Sequence, residues 1–146
     1  MKKIVFLLIL TSFSIFSQKK HANLKKGFIA EGYDVVSYFD NNPKEGKDQF
    51  VKEISGVKFK FSSQENLIKF TENPNKYTPQ YGGYCAYAIA DKGKKVSINP
   101  ETFEIREGKL YLFYNKGKIN TLQFWIDEGA ENLRKKADKN WEKISN

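Results

Sequence analysis

The sequence predicts a single α+β domain, and three observations predict it. Two short alternating runs are each split by a tight-turn pair, Ser55-Gly56 and Glu107-Gly108, as β-hairpins are. A run at helical spacing lies between them, and two more follow the second hairpin. Strands are thus segregated from helices instead of alternating with them, which is the α+β pattern. The expected architecture is a small antiparallel sheet of two β-hairpins packed against a central helix and C-terminal helices.

Residues 1–17 read as a secretory signal peptide. Lys2 and Lys3 make a positive start, Ile4 to Leu10 an apolar core, and small polar residues lead to Ser17-Gln18. Thr11 and Ser12 break the apolar run well short of the ~20 residues that a membrane-spanning helix requires. Cleavage is expected after Ser17, with no cysteine nearby to carry a lipid anchor. The mature chain is therefore predicted to be periplasmic or secreted and not membrane-spanning.

Residues 18–27 are polar and are expected to form a flexible leader; the domain proper is assigned to 28–146. Asp34 is placed to cap a short helical turn over Val35 to Phe39, and Asn41 to Gly46 has turn composition. Gln49 to Ile54 alternates, and so does Val57 to Phe61, which puts Val57, Phe59 and Phe61 on one face. Ser62-Ser63-Gln64-Glu65 is predicted to be a capping box with Ser62 as the cap. Leu67, Phe70 and Asn66 are then placed on neighbouring turns of a helix that Asn73-Pro74 ends. Gly82-Gly83 is expected to be a flexible joint, with a short helix over Tyr84 to Ala90 and a basic turn from Asp91 to Lys95. Thr102 to Arg106 and Lys109 to Tyr114 form the second hairpin. Helices are expected over Ile119 to Asp127 and Ala130 to Ile144, broken at Gly129, with Leu133, Ala137 and Trp141 recurring every four residues.

Composition bounds the function. Twelve Phe, eight Tyr and two Trp make 15% of the chain aromatic, which implies a real core and excludes a disordered chain. The formal net charge is +8, but its basic runs lie apart, at Lys19-Lys20, Lys25-Lys26, Lys92 to Lys95 and Arg134 to Lys136. A nucleic-acid binder concentrates such residues on one face, so no nucleic-acid partner is expected and the charge reads as a solvated surface.

Cys85 is the only cysteine. Exported proteins use cysteines in pairs, so a single one is buried and inert, or reactive, or joined to another chain. Following two glycines and opening a short helix, it could sit where backbone amides stabilise a thiolate. Such a thiolate binds a soft metal ion such as copper or zinc or forms a mixed disulfide. Packed among Tyr84, Tyr87 and Ile89 it is simply a small hydrophobe. Other ligands are scarce: zinc sites take three or four donors, whereas His21 lies in the leader and Met1 in the signal. The donors left for Cys85 are Asp34, Asp91 or a tyrosine oxygen. Lys19-Lys20-His21 would chelate Cu(II) only if cleavage fell after Gln18. A catalytic cysteine needs a base in reach, and with His21 the only histidine no Cys–His pair is predicted. Asp34, Glu65 and Asp138 are scattered carboxylates with no pairing in sequence. Tyr33, Tyr38, Tyr77, Tyr81, Tyr84 and Tyr87 either wall a ligand pocket or pack the core.

Gly32-Tyr33-Asp34-Val35-Val36-Ser37-Tyr38-Phe39, Phe59-Lys60-Phe61-Ser62-Ser63-Gln64-Glu65-Asn66, Asn73-Pro74-Asn75-Lys76-Tyr77 and Tyr81-Gly82-Gly83-Tyr84-Cys85-Ala86-Tyr87-Ala88 together resemble the YHS-domain family, which is related to the TRASH metal-binding domains. The order continues as in its exported stand-alone branch, through Gly108 to Asn115 and Trp125 to Ala137-Asp138-Lys139-Asn140-Trp141. The resemblance covers roughly 28 to 142. It implies the α+β fold and, in the wider group, heavy-metal handling through several cysteines; this chain departs from that with one.

The resulting expectation is an exported, non-enzymatic binding protein that captures a metal ion or small ligand around Cys85, walled by Tyr84, Tyr81, Tyr33 and Asp34. The alternatives are a thiol-redox or accessory protein that pairs Cys85 with a partner's cysteine, and a structural envelope protein in which Cys85 is inert.

Overall fold

In the computed structural model, which describes residues 19–146, both hairpins close at the expected pairs. Strand β1 (Lys47–Ile54) runs antiparallel to β2 (Val57–Phe61). Ser55 and Gly56 between them have φ of 52° and 79°, the left-handed pair that matches the twist of a two-residue hairpin. Strand β3 (Asn99–Arg106) pairs with β4 (Lys109–Phe113) in the same way, through Glu107 at 48° and Gly108 at 72°. Each hairpin is a two-stranded sheet of its own, and a third ribbon joins β5 (Asn115–Lys116) to β6 (Ile119–Asn120). The signal peptide and its cleavage point lie outside the described residues.

Among the described residues five named α-helices follow: α1 (Gln64–Glu72), α2 (Pro74–Tyr77), α3 (Ala86–Lys92), α4 (Thr121–Asp127) and α5 (Ala130–Ser145). Ile119 opens no helix, because it is paired in β6 and Asn120 caps α4 instead. The cap of α1 is also one residue later than expected. Ser63 Oγ accepts from the Asn66 N–H at 3.2 Å, and Glu65 pairs with Lys69 on the surface instead of reaching back. The Ser62 side chain is turned toward Asp34 instead, donating its hydroxyl to Oδ2 at 2.6 Å.

Strand β4 lies between two apolar cores. Leu110 and Leu112 belong to a cluster with Ile29, Val35, Phe61 and Phe70, while Tyr111 and Phe113 belong to one with Ile89, Trp125, Leu133 and Ala137. Successive strand side chains point to opposite faces, so the unbroken apolar run Leu110-Tyr111-Leu112-Phe113 feeds both clusters. All four are buried, each stabilising the fold by about 1.5–3 kcal/mol relative to exposure.

The leader is docked, contrary to the expectation of a flexible segment. Asn23 donates its backbone N–H to the Gly82 carbonyl at 2.8 Å and its side-chain amide to the Gly83 carbonyl at 3.0 Å, and Lys25 forms a short antiparallel bridge with Phe28. Gly82 and Gly83, at φ of 60° and 80°, are therefore a docking surface and not a free joint. A Cβ on Gly82 would overlap the His21 carbonyl oxygen, so only glycine lets the leader approach this closely.

The ending Ala137-Asp138-Lys139-Asn140-Trp141 locks α5 onto the same region. Ala137 is fully buried, and Asp138 accepts the Tyr81 hydroxyl at 2.8 Å. Asn140 donates to the Ile89 and Ala90 carbonyls in the last turn of α3 at 2.9 and 3.1 Å. Trp141 lies half-buried against Tyr81, Tyr84 and His21.

Candidate functional site

Cys85 occupies the N-cap position of α3 and is 0% exposed. Its N–H is donated to the Val96 carbonyl at 3.0 Å, and it is bridged to Leu112 of β4, so its amide is not free to hold an anion. Its sulfur lies 3.3 Å from Thr121 Oγ1. The Thr121 hydroxyl is itself donated to the Tyr114 carbonyl at 2.8 Å, which leaves the Cys85 S–H as the donor to Thr121. The sulfur lines neither of the cavities described below.

Asp34 is likewise 0% exposed and its acceptors are taken. Oδ1 accepts the Val36 N–H at 2.9 Å; the helical turn itself spans Ser37–Asp40 with Val36 at its N-cap and no side-chain cap bond, so Asp34 closes the bend before that turn instead of capping it. Oδ2 accepts the Ser62 N–H at 2.9 Å, the Ser62 hydroxyl at 2.6 Å and the Asn66 amide at 2.7 Å. A carboxylate has about four acceptor positions, so this one is a structural clasp between the turn, the end of β2 and α1.

The tyrosines divide between the two cores. Tyr33 packs on the first, where burial, and then Glu101, Glu45 and Glu31, push its phenol pKa up. Tyr81 and Tyr84 belong with the second; burial first, then the bond to Asp138, raises the Tyr81 phenol far above its ordinary value. The five residues expected around one pocket are thus distributed over a sealed thiol, a saturated carboxylate and two separate packing clusters. Asp91 is on the surface beside Lys92. Among the described residues no group of three or more His, Cys, Asp or Glu side chains could hold a metal ion. The surroundings of Cys85 do not fit a copper or zinc site, since among the described residues the one side chain bonded to its sulfur is Thr121 and a stable site takes three or four ligands.

The concave surface is elsewhere. A cavity of about 420 Å³ opens between the leader (His21, Ala22), the first hairpin (Ile54, Val57, Phe59) and Trp141 of α5. Small-ligand pockets usually fall at about 300–1,000 Å³ with mostly apolar walls and a few polar groups, and this one matches. Asn75, Thr78, Pro79, Gly82 and Trp141 also border an adjoining, more open recess, which carries Asp138 and Glu142.

His21 lines the cavity together with the polar side chains of Ser55, Asn75, Thr78 and Ser145. It is 9% exposed, and its ring meets Trp141 edge-on at 6.2 Å. Its Nδ1 lies 2.9 Å from the Lys95 ammonium, which itself sits over the Tyr84 and Trp141 rings at 5.6 and 5.9 Å. Burial, then the positive charges of Lys95 and Lys20, hold the His21 pKa below its ordinary value.

Sequence reasoning assigned His21 to a loose tail and Trp141 to helix packing. Nothing in the spacing places them together, because they are far apart in the chain and meet only once the leader crosses Gly82. No family model, curated protein or solved structure matches the chain. Fold and site together define an α+β domain with a leader-walled cavity, and no helix among the described residues is long and apolar enough to cross a membrane.

Proposed function

We propose that this chain is an exported, non-enzymatic binding protein of the YHS type. Its ligand occupies the cavity beneath the leader, and Cys85 is an inert part of the core. The observation that carries the reading is the 420 Å³ apolar cavity that His21, Phe59 and Trp141 border. The resemblance to YHS domains and the signal-like residues 1–17 support export and family, while the sealed Cys85 sulfur speaks against capture of a soft metal and against a mixed disulfide with a partner.

The test uses the neutral fluorophore N-phenyl-1-naphthylamine. Saturable binding at one site per chain is expected, with loss of binding in Ala22→Phe, which fills the cavity from the leader side. Ser145→Trp fills it from the opposite wall and should act alike, provided both variants melt as the parent does. A parent protein that does not bind the probe, or two filled variants that bind it equally well, would overturn the reading.

A further inference from the structure

The hydrogen-bonding state of His21 defines what the cavity holds. A lysine ammonium has donors only, so the 2.9 Å contact between Lys95 Nζ and His21 Nδ1 makes Nδ1 the acceptor. The proton of the neutral ring therefore sits on Nε2. That Nε2–H has no partner among the described residues, although the residue is nine-tenths buried. Among the described residues no fully occluded side-chain nitrogen or oxygen lacks a partner, and His21 is one of the residues that line the cavity.

The surrounding charge has one sign. No acidic residue lines this cavity, and Lys95 is held at its His21 end by the Tyr84 and Trp141 rings. The carboxylates nearby, Asp138 and Glu142, border the adjoining recess instead. An anion is thereby favoured at His21 and disfavoured beyond Trp141. Ile54, Val57 and Phe59 of the first hairpin offer the cavity apolar surface.

We propose that the ligand is a small amphipathic anion, with a carboxylate- or sulfonate-type oxygen accepting the His21 Nε2–H and an aliphatic or aromatic body against Val57 and Phe59. This rests on the cavity being the binding site, and it makes the docked leader part of that site. No covalent step is involved: His21 donates a hydrogen bond and Lys95 fixes its tautomer.

Two fluorophores that share one skeleton test it. N-phenyl-1-naphthylamine is neutral, and 8-anilinonaphthalene-1-sulfonate adds a single anionic group. At pH 7.5 the sulfonate is expected to bind about tenfold tighter, the value of one good charge-assisted hydrogen bond in a buried site. His21→Phe should abolish that preference and bring the two probes to equal affinity, with its melting compared with the parent's to show an intact fold. His21→Gln, which keeps a side-chain N–H, should restore part of it, and Lys95→Met should weaken it. Equal affinity of the two probes for the parent, or a preference that survives His21→Phe, overturns the inference and leaves the cavity reading standing. Failure of both probes to bind removes the two together.

Discussion

Asp34 and Ser62 are joined twice through one oxygen, since Asp34 Oδ2 accepts both the backbone N–H and the hydroxyl of Ser62, at 2.9 and 2.6 Å. The Asn66 amide adds a third bond to the same atom. Residues 28 apart are thus clasped across the start of α1, and Ser63 takes over the cap.

Replacing Asp34 by Ala leaves the Val36 and Ser62 amides, the Ser62 hydroxyl and the Asn66 amide without their acceptor. The expected loss is roughly 3 kcal/mol, because each buried donor left unmade costs about 1–3 kcal/mol and some recover water. Asp34→Asn should also destabilise, since all four partners are donors and the new NH2 group must face one of them. Urea unfolding measures both, and a loss below about 1 kcal/mol for the alanine variant would show that the clasp is not structural.

Cys85 should be unreactive in the folded protein. Its sulfur is fully buried and bonded to Thr121, so a thiol reagent is expected to label it only as fast as the protein opens. Cys85→Ser is expected to cost about 1–3 kcal/mol by placing a stronger polar group in the same apolar setting. Rapid stoichiometric labelling under native conditions would return the thiol-based readings to contention.

Gly82→Ala should free the leader. The added Cβ would overlap the His21 carbonyl, at a residue with φ of 60°, so about 1–2 kcal/mol of backbone strain adds to the overlap. The Asn23 amide, now bonded to the Gly82 carbonyl at 2.8 Å, should exchange faster by at least tenfold, while amides of β4 change little. Unaltered exchange at Asn23 would mean that the leader tolerates the change by another route.

Leader docking should weaken in mild acid. A free histidine takes its proton near the ordinary 6.5, whereas burial and the charges of Lys95 and Lys20 lower the value for docked His21. The undocked state therefore binds more protons as pH falls. The contribution of His21 to docking is complete above about pH 6.5 and is lost as the pH drops from there through the lower folded pKa. Protonation also leaves Nδ1 unable to accept from Lys95. Exchange at Asn23 measured from pH 7.5 downward checks this: it should rise relative to intrinsic exchange, and His21→Phe should flatten the dependence.

The local signals in this chain were short-range and they held. Ser55-Gly56 and Glu107-Gly108 demand positive φ at both turn residues, which few other pairs adopt so readily. Leu133 and Ala137 at a spacing of four became the buried face of α5. The boundaries moved where a distant partner intervened. Ser62 turned toward Asp34 while Ser63 became the α1 cap, and strand pairing with β5 kept Ile119 out of α4. The candidate site was much less legible. Cys85 beside two glycines looks alike in sequence whether its sulfur faces solvent or Thr121.

Turn chemistry, periodicity and composition act over a few residues, and by themselves they determined the two hairpins, the helices and the existence of an aromatic core. Burial is a property of what lies across the fold, so only the tertiary structure decided that Cys85 and Asp34 are occupied by Thr121 and Ser62. The same holds for His21. It lies in a polar stretch that has no pattern of its own, and it gained a buried, one-donor role only because the leader passes over Gly82 and comes to rest between Lys95 and Trp141.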